Sequence, residues 1–379
     1  MTLLADGVLR ARPDGALTAF LPTRTVQAHA ANLAVLPDGD LGCVWFGGTQ
    51  EGVADITVWF SRLPAGGDRW TDPVPLSEDP ARSEQNPVLF TAPGGDLWLL
   101  HTAQHAGDQD TAVVRARVSA DSGRTWGPTR DLLSTPDGGV FVRQPPVILP
   151  DGRWLLPTFT CRRTPGRAWS GDHDTSSVHW TGDRGVTWHE SVVPESTGCV
   201  HMNVLPGLIA FYRSRWADHV YRSTSDDGLR WTAPAPTVLP NNNSSIQACT
   251  LDDGRTLIAY NDSSRATATA RRVSLYDEID ADGIIDDATP RTRPVDDDGT
   301  AFWGAPRAPL VLAASTDGGL TWSGRRILAD GDGYALSNNS RDGRNRELSY
   351  PTVVPAGAGA RIAWTHHRQA IAYLHVPKV

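Results

Sequence analysis

Ser119-Ala120-Asp121-Ser122-Gly123-Arg124-Thr125-Trp126 spells a pattern, Ser/Thr-x-Asp-x-Gly-x-Thr-Trp, that decides the fold because the chain repeats it. The pattern returns as Thr181-Gly182-Asp183-Arg184-Gly185-Val186-Thr187-Trp188 and as Ser315-Thr316-Asp317-Gly318-Gly319-Leu320-Thr321-Trp322. A looser copy runs from Thr224 through Asp226 and Gly228 to Trp231, and a worn one ends at Trp70, where Ser61 and Gly67 survive without the aspartate. An aspartate that hydrogen-bonds backbone ahead of it, followed by a glycine free to take positive φ, makes a compact turn between two strands. The tryptophan then buries its apolar face between neighbouring units and keeps its indole N–H near the polar turn. The aspartates of this motif therefore read as structural, and the recurrence predicts one unit repeated around a closed ring.

The closing tryptophans stand at 70, 126, 188, 231 and 322, so the intervals are 56, 62, 43 and 91 residues. Four strands with their turns fit the shorter intervals. The longest carries an insertion: residues 276–306 are rich in Asp, Gly, Pro and Arg, lack β alternation, and predict a long loop in the fifth unit. After Trp322 the runs 350–354, 362–364 and 370–376 supply three strands of a sixth unit, and the N-terminal segment around 8–20 supplies the fourth. The expectation is an all-β, six-bladed β-propeller with Asp-box turns, closed by its N-terminal strand and occupying residues 1–379 as a single domain.

Composition agrees. Thirty-six glycines, 28 prolines and 14 tryptophans describe a turn-rich β protein. A formal charge of −8 with no basic run argues against nucleic acid and against an anionic membrane surface. The N-terminus lacks the basic start and apolar run of a secretory signal, so the chain reads as soluble and cytoplasmic. Cys43, Cys161, Cys199 and Cys249 have no CxxC spacing and read as reduced core residues. The histidines fall in different units without HxH or HExxH spacing, so no metal and no cofactor is expected.

The box turns join third to fourth strands on one face, which leaves first-strand starts and second-to-third links on the other. Those positions are strongly polar. First strands begin near His29 and Asn32, Gln85 and Asn86, Arg143 and Gln144, His201, Asn243 and Gln247, and Glu347 and Tyr350. The links add Glu51 and Asp55, Tyr212, Arg213 and Arg215, Tyr260 and Asn261, and Arg368. Amides read hydroxyl groups and guanidinium groups take carboxylates, so the expected ligand is a small acidic oligosaccharide or glycoside.

Beyond the boxes, His29-Ala30-Ala31-Asn32, Phe46-Gly47-Gly48-Thr49-Gln50-Glu51, Asn86-Pro87-Val88, Phe211-Tyr212-Arg213 and Ser349-Tyr350-Pro351 resemble segments of the sialidase-like propeller family, in its bacterial BNR-repeat, neuraminidase-like branch. The resemblance covers nearly the whole chain. For exo-sialidases it implies three clamp arginines, a tyrosine nucleophile activated by a glutamate, and an aspartate acid/base. On that pattern Arg213 is similar to a clamp arginine, Tyr350 with Glu347 to the nucleophile pair, and Asp55 or Glu51 to the acid. The chain departs where sialidases carry an arginine in the first strand and this sequence carries His29. Related propellers with histidine there resemble lyases and rhamnosidases acting on rhamnose joined to glucuronate. The leading expectation is thus elimination beside a uronate: Arg143 or Arg213 neutralises the carboxylate, His29 or His201 is the base, and Tyr212 or Tyr350 the acid. A retaining sialidase-like hydrolase and a non-catalytic glycan- or protein-binding propeller are the alternatives. Asn32, Asn86, Arg143, His201, Tyr212, Tyr260, Asn261 and Arg368 are expected to contact the ligand.

Overall fold

The computed structural model describes residues 3–269, 271–272, 299–332 and 346–379, together with the backbone of 279–280 and 283–284. Six antiparallel sheets follow one another along the chain. The first blade runs from Gln27–Val35 to Val74–Pro75, the second from Ser83–Thr91 to Arg130–Leu133, the third from Gly138–Val142 to His189–Val192. The fourth spans Cys199–Leu205 to Ala235–Pro240 and the fifth Gln247–Thr250 to Ser323–Ala329. In the sixth, Leu348–Ala356, Gly359–His366 and Ala370–Val376 are joined by the N-terminal strand Leu17–Phe20, with Arg10–Ala11 outside it. Leu17 pairs with His375 and Phe20 with Ala372, so the two chain ends share one blade. This is the six-bladed propeller with the N-terminal closure that the repeat predicts. Among the described residues no helix is long and apolar enough to cross a membrane.

The interior consists of six seams, one between each pair of neighbouring blades. Val44, Val58 and Phe60 of the first blade meet Leu89, Leu97 and Leu99 of the second, and Leu257, Leu310 and Leu312 of the fifth meet Leu348, Ile362 and Trp364 of the sixth. Blades one and six meet through Trp45, Trp70, Ile371 and Tyr373. A blade buries both faces, so its inner strands are apolar on both sides and the alternation of a half-buried sheet is lost.

The box turns behave as their residues require. In the first, Ser119 Oγ donates to Asp121 Oδ1 at 2.8 Å, Gly123 N donates to Ser119 Oγ at 2.8 Å, and Thr125 donates its N–H and its hydroxyl to the Asp121 carboxylate at 2.8 and 2.6 Å. Asp183 and Asp317 repeat these bonds. The bonds from Thr125 hold the Asp121 carboxyl below the usual carboxylate range. Trp126 and Trp231 return their indole N–H to Gly123 and Gly228 carbonyls, but the Trp70, Trp188 and Trp322 indole nitrogens have no hydrogen-bond partner. The third box corrects the sequence reading. Asp227, not Asp226, accepts from Leu229 and Arg230, because Ser225 takes the place expected of Thr224 and the turn is one residue tighter. Asp317→Ala is expected to lower the thermal unfolding midpoint while leaving ligand binding and turnover at 25 °C unchanged, since the turn faces away from the site; calorimetry and an activity assay on the same sample check this.

Part of the insertion has structure of its own, contrary to the loop expectation: Ile279–Asp280 pairs with Gly283–Ile284 in a small hairpin. Arg291 and Arg293, which with Trp303 and Arg307 would make this insertion a lid over the site, lie outside the described residues. Its C-terminal part returns over the third blade. Ala301 N donates to Asp172 Oδ1 at 2.7 Å, Trp303 Nε1 donates to the Ser170 carbonyl at 2.9 Å, and Trp303 is buried.

Candidate active site

The inner strands carry the same irregularity in four blades. Register shifts occur between His29 and Asn32, Gln85 and Val88, Val200 and Asn203, and Ser349 and Thr352. In each bulge one residue has left-handed φ: Ala30 at 58°, Asn86 at 50°, His201 at 55° and Tyr350 at 53°. For bulky side chains this conformation is an outlier that costs about 1–3 kcal/mol each, and bulges of this kind re-aim a side chain beside a site. Asn86, His201 and Tyr350 line one cavity, with Glu51, Gln85, Gln109, Phe141, Phe159, Arg213 and Arg215. The space among these side chains, counted with what opens to solvent, is about 260 Å³.

Arg213 is the hub. It is fully buried in the second strand of the fourth blade, Ile209–Ser214. Its Nη1 donates to the Tyr350 hydroxyl at 2.6 Å and lies 3.3 Å from His201 Nε2, while its Nε donates to Asn243 Oδ1 at 2.7 Å. Burial lowers the Arg213 guanidinium to about 10, which leaves it charged at neutral pH. Arg215, two residues on, pairs with Asp174 at 2.7 Å and lies about 5 Å from the Trp169 and Trp303 rings.

A second charged network supports Tyr350 from behind. Glu347 accepts from Arg307 at 2.7 Å, Arg368 at 2.9 Å and Ser349 at 2.9 Å, and Arg368 also pairs with Glu51 at 2.7 Å. Burial works against the Glu347 carboxylate, but Arg368 and Arg307 outweigh it and hold the group well below the usual range. Burial likewise opposes the Arg368 charge, and Glu347 and Glu51 keep it above its ordinary value. Arg143, Arg213 and Arg307 lie 5.3, 5.6 and 5.6 Å from the centre of the Tyr350 ring.

Charge accounting gives the cavity its sign. Five guanidinium groups (Arg143, Arg213, Arg215, Arg307, Arg368) face three carboxylates (Glu51, Asp174, Glu347), leaving two positive charges. Arg143 and Arg213 have no carboxylate partner among the described residues. The histidines do not add to this charge. Burial first, then Arg213 and Arg215, push His201 well below its ordinary range; burial and Arg368 do the same to His29. A buried cation without a counter-ion is costly, and a bound anion is the economical remedy. Among the described residues no group of three His, Cys, Asp or Glu side chains is placed to hold a metal.

The structure brings together Tyr350, Arg213, His201, Asn86 and Glu51 of the sequence-predicted residues. Others stand elsewhere. His29 is fully buried behind Tyr350, its ring 4.3 Å away, bonded through Nδ1 to Thr365 Oγ1 at 2.9 Å. Glu347 and Arg368 form the network just described and do not line the cavity. Asp55 is exposed and accepts from the backbone of Thr49 within its own loop. Tyr212 points into the seam between the third and fourth blades and bonds Ser223 at 2.6 Å. Tyr260 lies in the next seam, and burial raises its hydroxyl to about 12. Strand alternation explains both tyrosines, since each follows or precedes by one residue a side chain on the other face. Asn32 accepts from Leu89 N at 3.0 Å and Asn261 donates to the Leu348 carbonyl at 2.8 Å, so both stitch blades together. Arg143 bonds backbone carbonyls below the cavity. Gln109, Phe141 and Phe159 are lining residues that sequence reasoning missed; Phe141 and Phe159 lie on strands whose apolar character reads as core, and Gln109 starts a strand with no distinguishing pattern around it.

A family model described as a BNR repeat-like domain matches residues 39–362. The chain belongs to this BNR repeat-like family. A search among curated proteins found no match. Among solved structures, Hadza microbial sialidase Hz136 superposes with a TM-score of 0.65 at 14% identity over 92% of this chain and 65% of its own. A Dyadobacter fermentans protein of unknown function gives 0.64 at 15% identity, covering 99% of both chains. Trypanosoma rangeli sialidase gives 0.57 at 13% identity over 99% of this chain and 58% of its own. The chain thus spans less than two thirds of the length of either sialidase, and at these identities the likeness is one of fold.

Proposed function

We propose that this protein cleaves a glycosidic bond beside an acidic sugar by elimination. The observation that carries the reading is the meeting of His201 Nε2 and the Tyr350 hydroxyl on one guanidinium, Arg213 Nη1, inside a positively charged cavity. A uronate carboxylate on Arg213 has its charge neutralised, which stabilises the carbanion character that develops at C5. Arginine is an obligate donor, so the His201 nitrogen facing it is the acceptor; once the ligand carboxylate takes the Arg213 N–H, that bond breaks and the freed lone pair takes the C5 proton. The Tyr350 oxygen accepts from Arg213, which leaves its own hydrogen for the departing oxygen at C4. The electron pair of the C5–H bond forms the C4–C5 double bond, the C4–O bond breaks, and the leaving oxygen takes the phenolic proton. Transfer of the proton from His201 back to Tyr350 restores the site; their rings lie 5.6 Å apart.

The retaining-hydrolase reading draws on the sialidases among the structural neighbours and on Tyr350 itself. It is the weaker one here because Glu347 is engaged by Arg307, Arg368 and Ser349, and Asp55 is spent on its own loop. Rhamnosyl-glucuronate oligosaccharides should yield the ultraviolet absorbance of an unsaturated uronate. Release of the aglycone from a sialoside without that absorbance would favour hydrolysis, and inactivity on both substrate classes together with measurable glycan binding would leave a binding module.

His201→Gln is expected to reduce elimination by about 10²–10⁴-fold, the usual contribution of a positioned base. The base must be neutral, and its pKa is displaced downward, so the acidic limb of the wild-type pH–rate profile should lie below the ordinary histidine value near 6.5. A profile that falls off above that value would count against His201 as the base.

A further inference from the structure

We infer that Arg143 is the positioning residue of this site: it holds Tyr350 in its left-handed backbone conformation and sets a fixed positive charge behind the phenol ring without touching the ligand. The inference rests on Tyr350 being the working group, and it holds for either an acid or a nucleophile. Arg143 belongs to the third blade, yet its Nη2 donates to the carbonyls of Ala31 at 3.0 Å and Tyr350 at 3.2 Å, and its Nη1 to that of Ala30 at 3.4 Å. Its Nε reaches Ser245 Oγ at 3.4 Å. One side chain thus crosses the axis and fastens the bulges of the first and sixth blades, where Ala30 and Tyr350 both have positive φ. The guanidinium carbon is 5.3 Å from the centre of the Tyr350 ring, and no carboxylate among the described residues pairs with it.

Three neutral carbonyls could be satisfied by an uncharged donor, so the retained charge calls for a reason. A fixed cation behind the ring stabilises the negative charge that develops on the phenol oxygen in the transition state, whether that oxygen releases a proton or attacks. The group also lies among closing contacts: Gln144 Nε2 donates to the Ile246 carbonyl at 2.7 Å and Gln247 Nε2 to Gln144 Oε1 at 2.7 Å. These amides fix the blades beneath the cavity whether or not Arg143 is charged, so the two roles can be separated.

Arg143→Met removes the charge at similar length, and Arg143→Lys keeps it while losing the fork. In turnover, Arg143→Met should lose kcat by at least about tenfold with KM little changed, and Arg143→Lys should recover part of it. An unaltered kcat in the folded fraction of Arg143→Met, with or without a loss of thermal stability, would overturn the inference; Arg143 would then be a staple between blades. Inactivity of the wild type on every uronate would instead remove the elimination reading, and the same kcat comparison on a sialoside would then decide this one.

Discussion

Tyr350→Phe is expected to abolish most turnover, by about 10²–10⁴-fold, while leaving the dissociation constant of an acidic disaccharide within a few-fold of wild type. The substitution deletes one oxygen. The ring keeps its place because His29 at 4.3 Å and His201 at 5.6 Å pack against it and because the bulge is held through the backbone. What is lost, among the described residues, is the hydroxyl donor beside Arg213 that the proposed elimination uses to give a proton to the leaving oxygen; Asn243 is a neutral amide, and His201 is the proposed base. The ligand carboxylate still finds Arg213, freed from its 2.6 Å bond to the hydroxyl. Steady-state kinetics and calorimetric binding on one preparation test this. A variant that binds and turns over like wild type would remove Tyr350 from the chemistry, and a variant that loses binding in proportion to turnover would make it a ligand contact only.

Glu347→Gln should have the largest effect on stability. The carboxylate is shared by Arg307 and Arg368, and only Glu51 remains to balance those two cations once it is gone. Removing one member of a buried ion cluster typically costs about 3–5 kcal/mol because the partner charges stay buried and unpaired. A denaturant titration should show a lower midpoint with an unchanged slope. The pH dependence has a definite sign. The folded-state pKa of Glu347 is depressed, so its contribution is fully present above the unfolded value near 4.3 and is lost as pH falls from there toward the folded value. Wild type and variant should therefore differ most near neutrality and converge in acid. A gap that persists undiminished at low pH would point to packing rather than charge.

Both substitutions act on positions that the sequence offers, but by different routes. Tyr350 and Glu347 stand three apart at the start of a strand, and the sequence suggests a tyrosine with its activating glutamate. The bulge between Ser349 and Thr352 turns the tyrosine to the cavity, while the glutamate is drawn into the cluster behind it. The only local trace of this geometry is the proline that follows the left-handed residue in Asn86-Pro87 and Tyr350-Pro351. His201 has no such mark, and its choice over His29 as the histidine of the cavity depends on which side of Tyr350 each ring comes to rest. Tyr212 and Arg213 are adjacent in sequence and therefore point to opposite faces of their strand, so only one of them can reach the axis.

The sequence by itself determined the repeated unit, the number of blades and the face on which to look. Each Asp-box closes its hydrogen bonds within a few residues, as Thr125 does with Asp121 four positions away, so the chemistry that makes the turn is written in one short stretch. Even there two adjacent aspartates, Asp226 and Asp227, compete for the third turn, and only the bond from Ser225 to Asp227 selects between them. Only the tertiary structure decided the site. Its defining contacts join residues 137 positions apart in Arg213 and Tyr350 and 207 apart in Arg143 and Tyr350. In a propeller every blade sends its inner strand to the same axis, so the polar groups that meet there are neighbours through ring closure and bulge geometry, neither of which a local pattern of residues can encode.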